Sequence, residues 1–279
     1  MRYWYKKDRL YLIIMKIFEI KTTSAHIIKT LIEALKDILT ETTFLISKTG
    51  IRIADLDTNQ IILVKMNLLG SEFEEYVVNE EIEIGVEMMT LHKIVKHITN
   101  NDSLILSMDD SNRSQLNIRV DNSKKGSKSM YRMKLSDLDY TQYEMVENVE
   151  YSSIITLPSN EFQTICRNMK DNSNKIVITK VENELQFSSD SDMIDSELTY
   201  PINVFNDSNQ QQIYYLKNNN KEDIFRGIFS LDPLMSFTKC TSLCNFVELY
   251  LKNDHPLIVK YSVASLGTIR LCLSQARVK

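Results

Sequence analysis

The sequence predicts an α+β fold built twice, as two similar domains of antiparallel strands that each carry two helices. Two observations predict it. The order of local signals in "SAHIIKTLIEALKDILTETTFLISKTGIRIADLD", from Ser24, recurs in "SNEFQTICRNMKDNSNKIVITKVENELQFSSDSD", from Ser159, with negligible identity. Each segment reads as a capping serine, an amphipathic helix, a polar turn and two β-rich runs. Each half then adds more short β-rich runs and one further short helix. A chain of 279 residues, 43% hydrophobic and 25% charged, has room for one large domain or two ordinary ones.

The N-terminal "MRYWYKKDRLYLIIM" has a basic front, but its apolar stretch, Leu10 to Met15, is shorter than a signal core and no small-residue cleavage site follows. Residues 1–15 therefore read as an extension or an upstream start, and the first domain as 16–133. In the first helix Ile27, Ile28, Leu31, Ile32, Leu35 and Ile38 share one side, opposite Lys29, Glu33 and Lys36. "TTFLIS" and "GIRIADL" alternate around the Lys48–Gly50 turn, and "IILVKMNL", "EEYVVNEEIEIGV", "LILSMDD" and "QLNIRV" are further strands. A second helix spans about Thr90 to Ile98, exposing His92, Lys93, Lys96 and His97. Asp121–Ser129 reads as a polar loop.

The stretch "MKLSDLDYTQYEMVENVEYS", Met133 to Ser152, has little periodicity and no glycine or proline. It reads as a connector, 134–151, leading to the second domain, 152–279. There Ser159 opens a helix that buries Phe162, Ile165, Cys166 and Met169 and exposes Arg167 and Lys170. "KIVITKV" and "ELQFSS" flank the Glu182–Asn183 turn, and "SELTYPI", "QIYYLK", "FRGIFSL", "NFVELYLK", "PLIVKYSV" and "TIRLCLS" follow as strands. Asn206–Gln211 is a polar loop. A short helix starts near Asp232, with Asp232 as cap and Pro233 at its first position, and ends at Lys239.

The net charge of −4 gives the whole molecule no attraction for nucleic acid. Affinity for phosphates depends instead on where the cations sit. Solvated helix faces often carry lysines. Here, however, helices of both halves expose a basic side within an acidic chain, and on one surface they would form a strip suited to a phosphate backbone. Cys166, Cys240, Cys244 and Cys272 form no CxxC pair and the histidines have no ligand spacing, so reduced thiols in or near a core are expected and no metal. No phosphate-binding glycine loop or hydrolase signature is present. The acidic pairs Asp55/Asp57, Asp109/Asp110 and Asp190/Asp192 could ligate a metal, but they lie at turns and strand ends, where Asp is common for backbone reasons. No apolar run reaches the ~18 residues of a membrane span.

These features meet in one family. "IIKTLIEALKDIL" resembles the first helix of the DNA sliding clamp, proliferating cell nuclear antigen. "YRMKLSDLDYTQYEM" resembles its interdomain connecting loop. "EYSSIITLPSNEFQTICRNM" resembles the entry to its second domain, and "HPLIVKYSVASLGTIRLCLS" its C-terminal strands. The resemblance runs from about Lys16 to the end. It implies the DNA clamp fold: two domains per subunit and three subunits in a ring, with helices lining the hole and sheets outside. It also implies a polymerase processivity factor that encircles duplex DNA, has no chemistry or cofactor of its own, and is opened by a clamp loader.

By that resemblance Lys29, Lys36, Lys93, Lys96, Arg167 and Lys239 face DNA, with Lys170 close to such a position. Thr30, Thr164 and Asp232 stand where the family often has a cation. The connector would cover an apolar pocket that receives the PIP-box peptide of polymerases, ligases and nucleases. Its matching positions are Leu56, Gln60, Ile61, Leu63, Tyr143, Met145, Pro256 and Cys272, with Leu273, Ser274 and Gln275 on a strand bonding the peptide backbone. Tyr143 and Met145 replace smaller aliphatics, Glu144 a glycine, Cys272 an aromatic and Gln275 a proline, so partner preference is expected to differ. The strand with Leu116, Ile118 and Val120 would pair with a neighbour's strand holding Leu198 and Tyr200. Richness in Asn, Ile, Lys and Asp points to an AT-rich genome, such as that of a large DNA virus or a protist, and hence to the nucleus or a cytoplasmic viral replication site. Four alternatives stay open: a subunit of a heterotrimeric checkpoint-type clamp, a monomeric clamp-like factor, a metal-dependent DNA-modifying enzyme using the acidic turns, and a DNA-independent peptide scaffold.

Overall fold

A computed structural model describes residues 16–138, 143, 149–204, 213–218 and 224–276. The extension at 1–15, the middle of the connector with Met145, and the loop at 206–211 lie outside the described residues. The first half runs β1 (Lys16–Thr22), α1 (Ala25–Leu35), β2 (Glu41–Ser47), β3 (Gly50–Leu56), β4 (Ile62–Leu69), a single 3-10 turn (Gly70–Glu72), β5 (Glu75–Val78), β6 (Ile82–Glu87), α2 (Met88–Val95), β7 (Asp102–Asp109), β8 (Gln115–Asn122) and β9 (Ser127–Lys134). The second half runs β10 (Ser153–Pro158), α3 (Ser159–Asn172), β11 (Lys175–Val181), β12 (Glu184–Ser189), β13 (Ser196–Pro201), β14 (Asn203–Val204), β15 (Tyr214–Asn218), β16 (Phe225–Ser230), α4 (Leu231–Phe237), a 3-10 helix (Thr238–Leu243), β17 (Phe246–Leu251), β18 (Leu257–Val263) and β19 (Gly267–Leu273).

The duplication is a duplication of sheets. The order β5-β1-β7-β8-β9 of the first half returns as β15-β10-β17-β18-β19 in the second, and β6-β2-β3-β4 returns as β16-β11-β12-β13. One junction joins the halves. β4 and β19 pair antiparallel from Leu68↔Gly267 to Ile62↔Leu273, which fuses two of the four units into one ten-stranded sheet. Strand alternation makes one face of that sheet the core. Val64, Leu271, Val259 and Leu249 lie in register across it and are fully buried. α1 sets Ile28, Leu31, Ile32 and Leu35 into the interior, and α3 sets Phe162, Ile165, Cys166 and Met169. Each such buried aliphatic or aromatic side chain contributes about 1.5–3 kcal/mol of transfer free energy.

Three helix starts differ from expectation. α2 begins two residues before Thr90, because the Glu87 carboxylate accepts the backbone N–H groups of Met89 and Thr90 at 3.2 and 2.6 Å. That N-cap bonding satisfies donors which the helix itself leaves open. Ser159 is the first helical residue, after Pro158, and its hydroxyl donates to the Cys244 carbonyl instead (2.7 Å). Asp232 is the second residue of α4, with Ser230 at the cap position, so its carboxylate is free to pair with Lys170. α4 itself ends at Phe237, and Lys239 belongs to the following 3-10 helix.

β9 was not expected. It takes up Ser127–Ser129 of the anticipated loop and reaches Lys134, leaving a turn around Gly126 in the left-handed region (φ 62°). Its side chains are exposed at every position but Met133, so no buried alternation marks it in the sequence. β9 also corrects the expected subunit contact. β8 lies between β7 and β9 and has no free edge, and Leu116 and Ile118 are buried in the core, with Val120 packed against it. On this side of the sheet the edge strand is β9.

Candidate functional site

The four α-helices and the 3-10 helix after α4 form one layer. α1 packs against α2 and against the 3-10 helix after α4, and α3 packs against α4 and the same 3-10 helix. The expected cations all lie on this layer, but in different states. Lys93, Lys96 and Arg167 are exposed and enter no ion pair among the described residues. Lys29 Nζ donates to the Ile98 carbonyl (3.0 Å). Lys36 pairs with Asp37 Oδ1 at 2.9 Å, and Lys239, from the other half, pairs with Asp37 Oδ2. Lys170 lies 2.6 Å from Asp232 Oδ1. Partial burial would raise the Asp37 pKa, but the hydrogen bonds from Lys239 and Lys36 outweigh it and hold the carboxyl below its ordinary value. Burial, and then the nearby Lys36, depress the pKa of His92 on α2. The Thr30 and Thr164 hydroxyls, where cations were expected by resemblance, bond back to His26 and Asn160 carbonyls.

The outward face of the ten-stranded sheet carries an apolar row. Leu56, Leu63, Cys272, Ile258 and Tyr250 lie in register on β3, β4, β19, β18 and β17. Leu56 and Leu63 are half-buried, while Cys272 and Ile258 are buried yet outside the main core. Burial pushes the Cys272 thiol up to about 12, against the pull of Arg270 and Lys65. Around this row lie exposed Ile61, Gln60 in a left-handed turn (φ 57°) and exposed Pro256. Tyr143 is half-buried. Leu273 requires a correction. It is buried, points into the core, and pairs with Ile62 and Leu257 on its two sides, so it offers a peptide nothing. The Ser274 N–H is bonded to the Ile61 carbonyl (3.1 Å), and the Gln275 amide to the His255 carbonyl (3.3 Å).

Both ends of the connector are anchored beside this row. Ser136 donates its N–H to the Gly85 carbonyl on β6 (3.0 Å) and its hydroxyl to Glu41 (3.0 Å). Position 85 must be glycine, because a Cβ there would lie 2.2 Å from the Ser136 oxygen. At the other end Ser152 donates to the Leu251 carbonyl (3.0 Å), and the Tyr151 ring meets Tyr250 edge-on at 5.5 Å.

Among the sheet ends of the described residues are β9 and β13. On β9, Met130 and Tyr131 are 53% and 37% exposed. On β13, Leu198 and Tyr200 are partly buried against the core, and the Tyr200 hydroxyl donates to Glu161 (2.6 Å). By contrast, two of the three acidic turns are engaged in structure. Asp57 accepts the N–H groups of Asn59, Ile61 and Ile62, Asp55 that of Leu56, Asp109 the Asn117 amide, and Asp110 pairs with Arg113. Among the described residues no three His, Cys, Asp or Glu side chains cluster to hold a metal, and no disulfide joins the four cysteines. No helix among them is long and apolar enough to cross a membrane.

Comparison with known proteins decides the family. Residues 17–143 match the family model of the proliferating cell nuclear antigen N-terminal domain, and residues 145–276 that of its C-terminal domain. The chain belongs to the proliferating cell nuclear antigen family of DNA sliding clamps. It is 33% identical over 258 residues, 92% of this chain and 96% of the relative, to a probable DNA polymerase sliding clamp 1 of Paramecium bursaria Chlorella virus 1. It is 32% identical over 227 residues to a probable DNA polymerase sliding clamp of Acanthamoeba polyphaga mimivirus, covering 81% of this chain and 47% of that protein. The fold is the DNA clamp fold and the role is that of a polymerase processivity factor, a function which in this family involves no catalysis.

Reading the sequence alone missed Asp37 as a neutraliser of two clamp lysines, β9 as the edge strand, and Tyr250, Ile258, Lys65 and Arg270 on the outer face. The last group was within reach: residues two apart on a strand share a face, so Lys65 must flank Leu63, and Arg270 must flank Cys272.

Proposed function

We propose that the clamp is a homotrimeric ring that encircles duplex DNA and holds replication and repair enzymes by short peptides docked on the apolar row. The observation that carries this reading is the pair of unmatched edges. Inside one chain β4 pairs with β19. In the duplicated sheet order, β13 is the counterpart of β4 and β9 the counterpart of β19, and both stand at sheet ends. A head-to-tail contact of β9 on β13 of the next copy would repeat the internal junction. Such a heterologous contact closes into a ring when its rotation fits. At the internal junction Val64 and Leu271 are fully buried, whereas Tyr131 on β9 remains 37% exposed and would be covered by a partner.

In that ring the helical layer faces the hole, and Lys93, Lys96 and Arg167 meet phosphates as point charges without reading bases. Retention then raises the effective concentration of a tethered polymerase, which rebinds before it diffuses away. The clamp has no chemistry of its own; the bonds made by Asp55, Asp57, Asp109 and Asp110 support structural roles for those acids. Polymerase, ligase and nuclease would be its partners, together with a clamp loader, and a nuclear or cytoplasmic viral replication site its location. Light scattering across a dilution series tests the assembly. A mass of three chains is the expected result, and a monomer at every concentration overturns the ring of identical subunits.

A further inference from the structure

The outer face of the ten-stranded sheet carries a second row beside the apolar one. Two residues further along the same strands, Glu248, Lys260, Arg270 and Lys65 lie in register on β17, β18, β19 and β4. Lys260 Nζ bonds both Glu248 oxygens at 2.9 and 3.1 Å, and the Tyr250 hydroxyl donates to the same carboxylate at 2.8 Å. The one carboxylate of this row is therefore committed. Arg270 is exposed and enters no ion pair among the described residues. Arg270 and Lys65 both act electrostatically on the Cys272 thiol, and Arg270 acts on the Tyr151 and Tyr250 hydroxyls as well. Two cations thus border the Leu63–Cys272 centre of the apolar row, about 7 Å away along the strands. A third, the exposed Arg52, follows in the next row, opposite Asn67.

This is a local positive border on an acidic chain of net charge −4. It lies on the sheet face, away from the helical layer that carries the expected DNA cations. We infer that the partner peptide of this clamp carries an aspartate or glutamate beside its apolar anchors, received by Arg270, with Lys65 adding to the local positive field. The inference rests on the reading of the apolar row as the partner-peptide site. Apolar anchors give such a site its affinity, and a charge at its rim selects among peptides sharing those anchors. The guanidinium of Arg270 presents a fork that a carboxylate can meet with two hydrogen bonds.

The test uses two labelled synthetic peptides of one helical turn with the same two aromatic anchors, one with Glu at the flanking position and the other with Gln. Fluorescence anisotropy measures both against the intact clamp and against Arg270→Gln, Lys65→Gln, Arg270→Glu and Leu63→Asp. On the unaltered clamp the Glu peptide should bind about three- to tenfold tighter at ~50 mM salt, with the gap shrinking at ~300 mM. The gap should narrow in each Gln variant and reverse in Arg270→Glu, while the Gln peptide binds these three alike. Leu63→Asp should lose both peptides. If both bind equally and Leu63→Asp still loses them, the site stands and the acidic preference is overturned. If neither binds the intact clamp, or Leu63→Asp binds both as before, the peptide-site reading falls, and the inference with it.

Discussion

Asp37 is one residue whose charge governs two others. It sits after α1, holds Lys36 from its own half and Lys239 from the other, and so removes two cations from the helical layer. Lys36 is already covered, with 16% of its side chain exposed. A partly exposed ion pair of this kind contributes modestly to stability, because solvent still screens it, and its larger effect falls on DNA. Asp37→Asn should tighten binding of a short labelled duplex and steepen its salt dependence by about 1–2 in the slope of log K against log salt. An unchanged slope would show that the two lysines lie out of reach of the duplex. The pH dependence follows from the sign of the shift. The folded pKa of Asp37 is depressed, so its contribution to folding is complete above the ordinary value of 3.8 and is lost as pH falls through the lower folded value. Asp37 is thus ionised throughout the neutral range, and the affinity difference between Asp37→Asn and the unaltered clamp should stay flat from about pH 6 to 8. Titration as an anisotropy series checks this.

Two elements, β9 and β19, have the same place in the duplicated order and different partners. β19 is closed by β4, and the closure depends on Gly267. A Cβ at that position would lie 2.0 Å from the Asn67 carbonyl oxygen of β4. Gly267→Ala should therefore cost about 2–4 kcal/mol in denaturant unfolding. Gly126→Ala, at φ 62° with open space around it, should cost only its backbone strain, about 1 kcal/mol. β9 has no strand partner on its outer side among the described residues, so Tyr131→Glu should leave the subunit folded, with an unchanged unfolding midpoint for the monomer, and reduce the light-scattering mass from three chains to one. A trimer that survives the change would place the subunit contact elsewhere. These same elements mark what the sequence could and could not reveal. The helices and the strands of the fused sheet were legible because one face of each is buried, which writes a period of 3.6 or 2 into the residues. β9 was illegible because Ser127–Arg132 are exposed on both faces of the free chain, and the partner that would cover them leaves no pattern in this sequence. The apolar row was legible only in part. Leu56, Leu63 and Cys272 came from resemblance, while Tyr250 and Ile258 needed the register of β17 and β18 to bring them alongside.

At the scale of the whole molecule, two kinds of attachment to DNA must be separated. Cations on the helical layer attract phosphates, and that attraction fades as salt rises. A closed ring on DNA is held by topology, which salt does not weaken as long as the subunit contacts survive. The two can be read independently on linear duplex, onto which a ring threads from the ends. Capping both ends with bulky blocks after threading should keep the clamp on the DNA through a wash at about 0.5 M salt, where phosphate contacts are largely screened. Open-ended duplex should lose it. The triple variant Lys93→Glu, Lys96→Glu, Arg167→Glu removes those exposed cations of the helical layer that have no ion pair among the described residues. It should keep its trimer mass and its peptide affinity, because none of the three lies on β9, on β13 or on the apolar row. It should thread far less often, yet whatever threads should be trapped by the end blocks as firmly as the unaltered clamp. Loss from blocked and open DNA at the same rate would mean that charge alone holds the protein, and the encircling mechanism would fail. Undiminished threading by the triple variant would instead remove the helical layer as the DNA-facing surface, while leaving the ring intact.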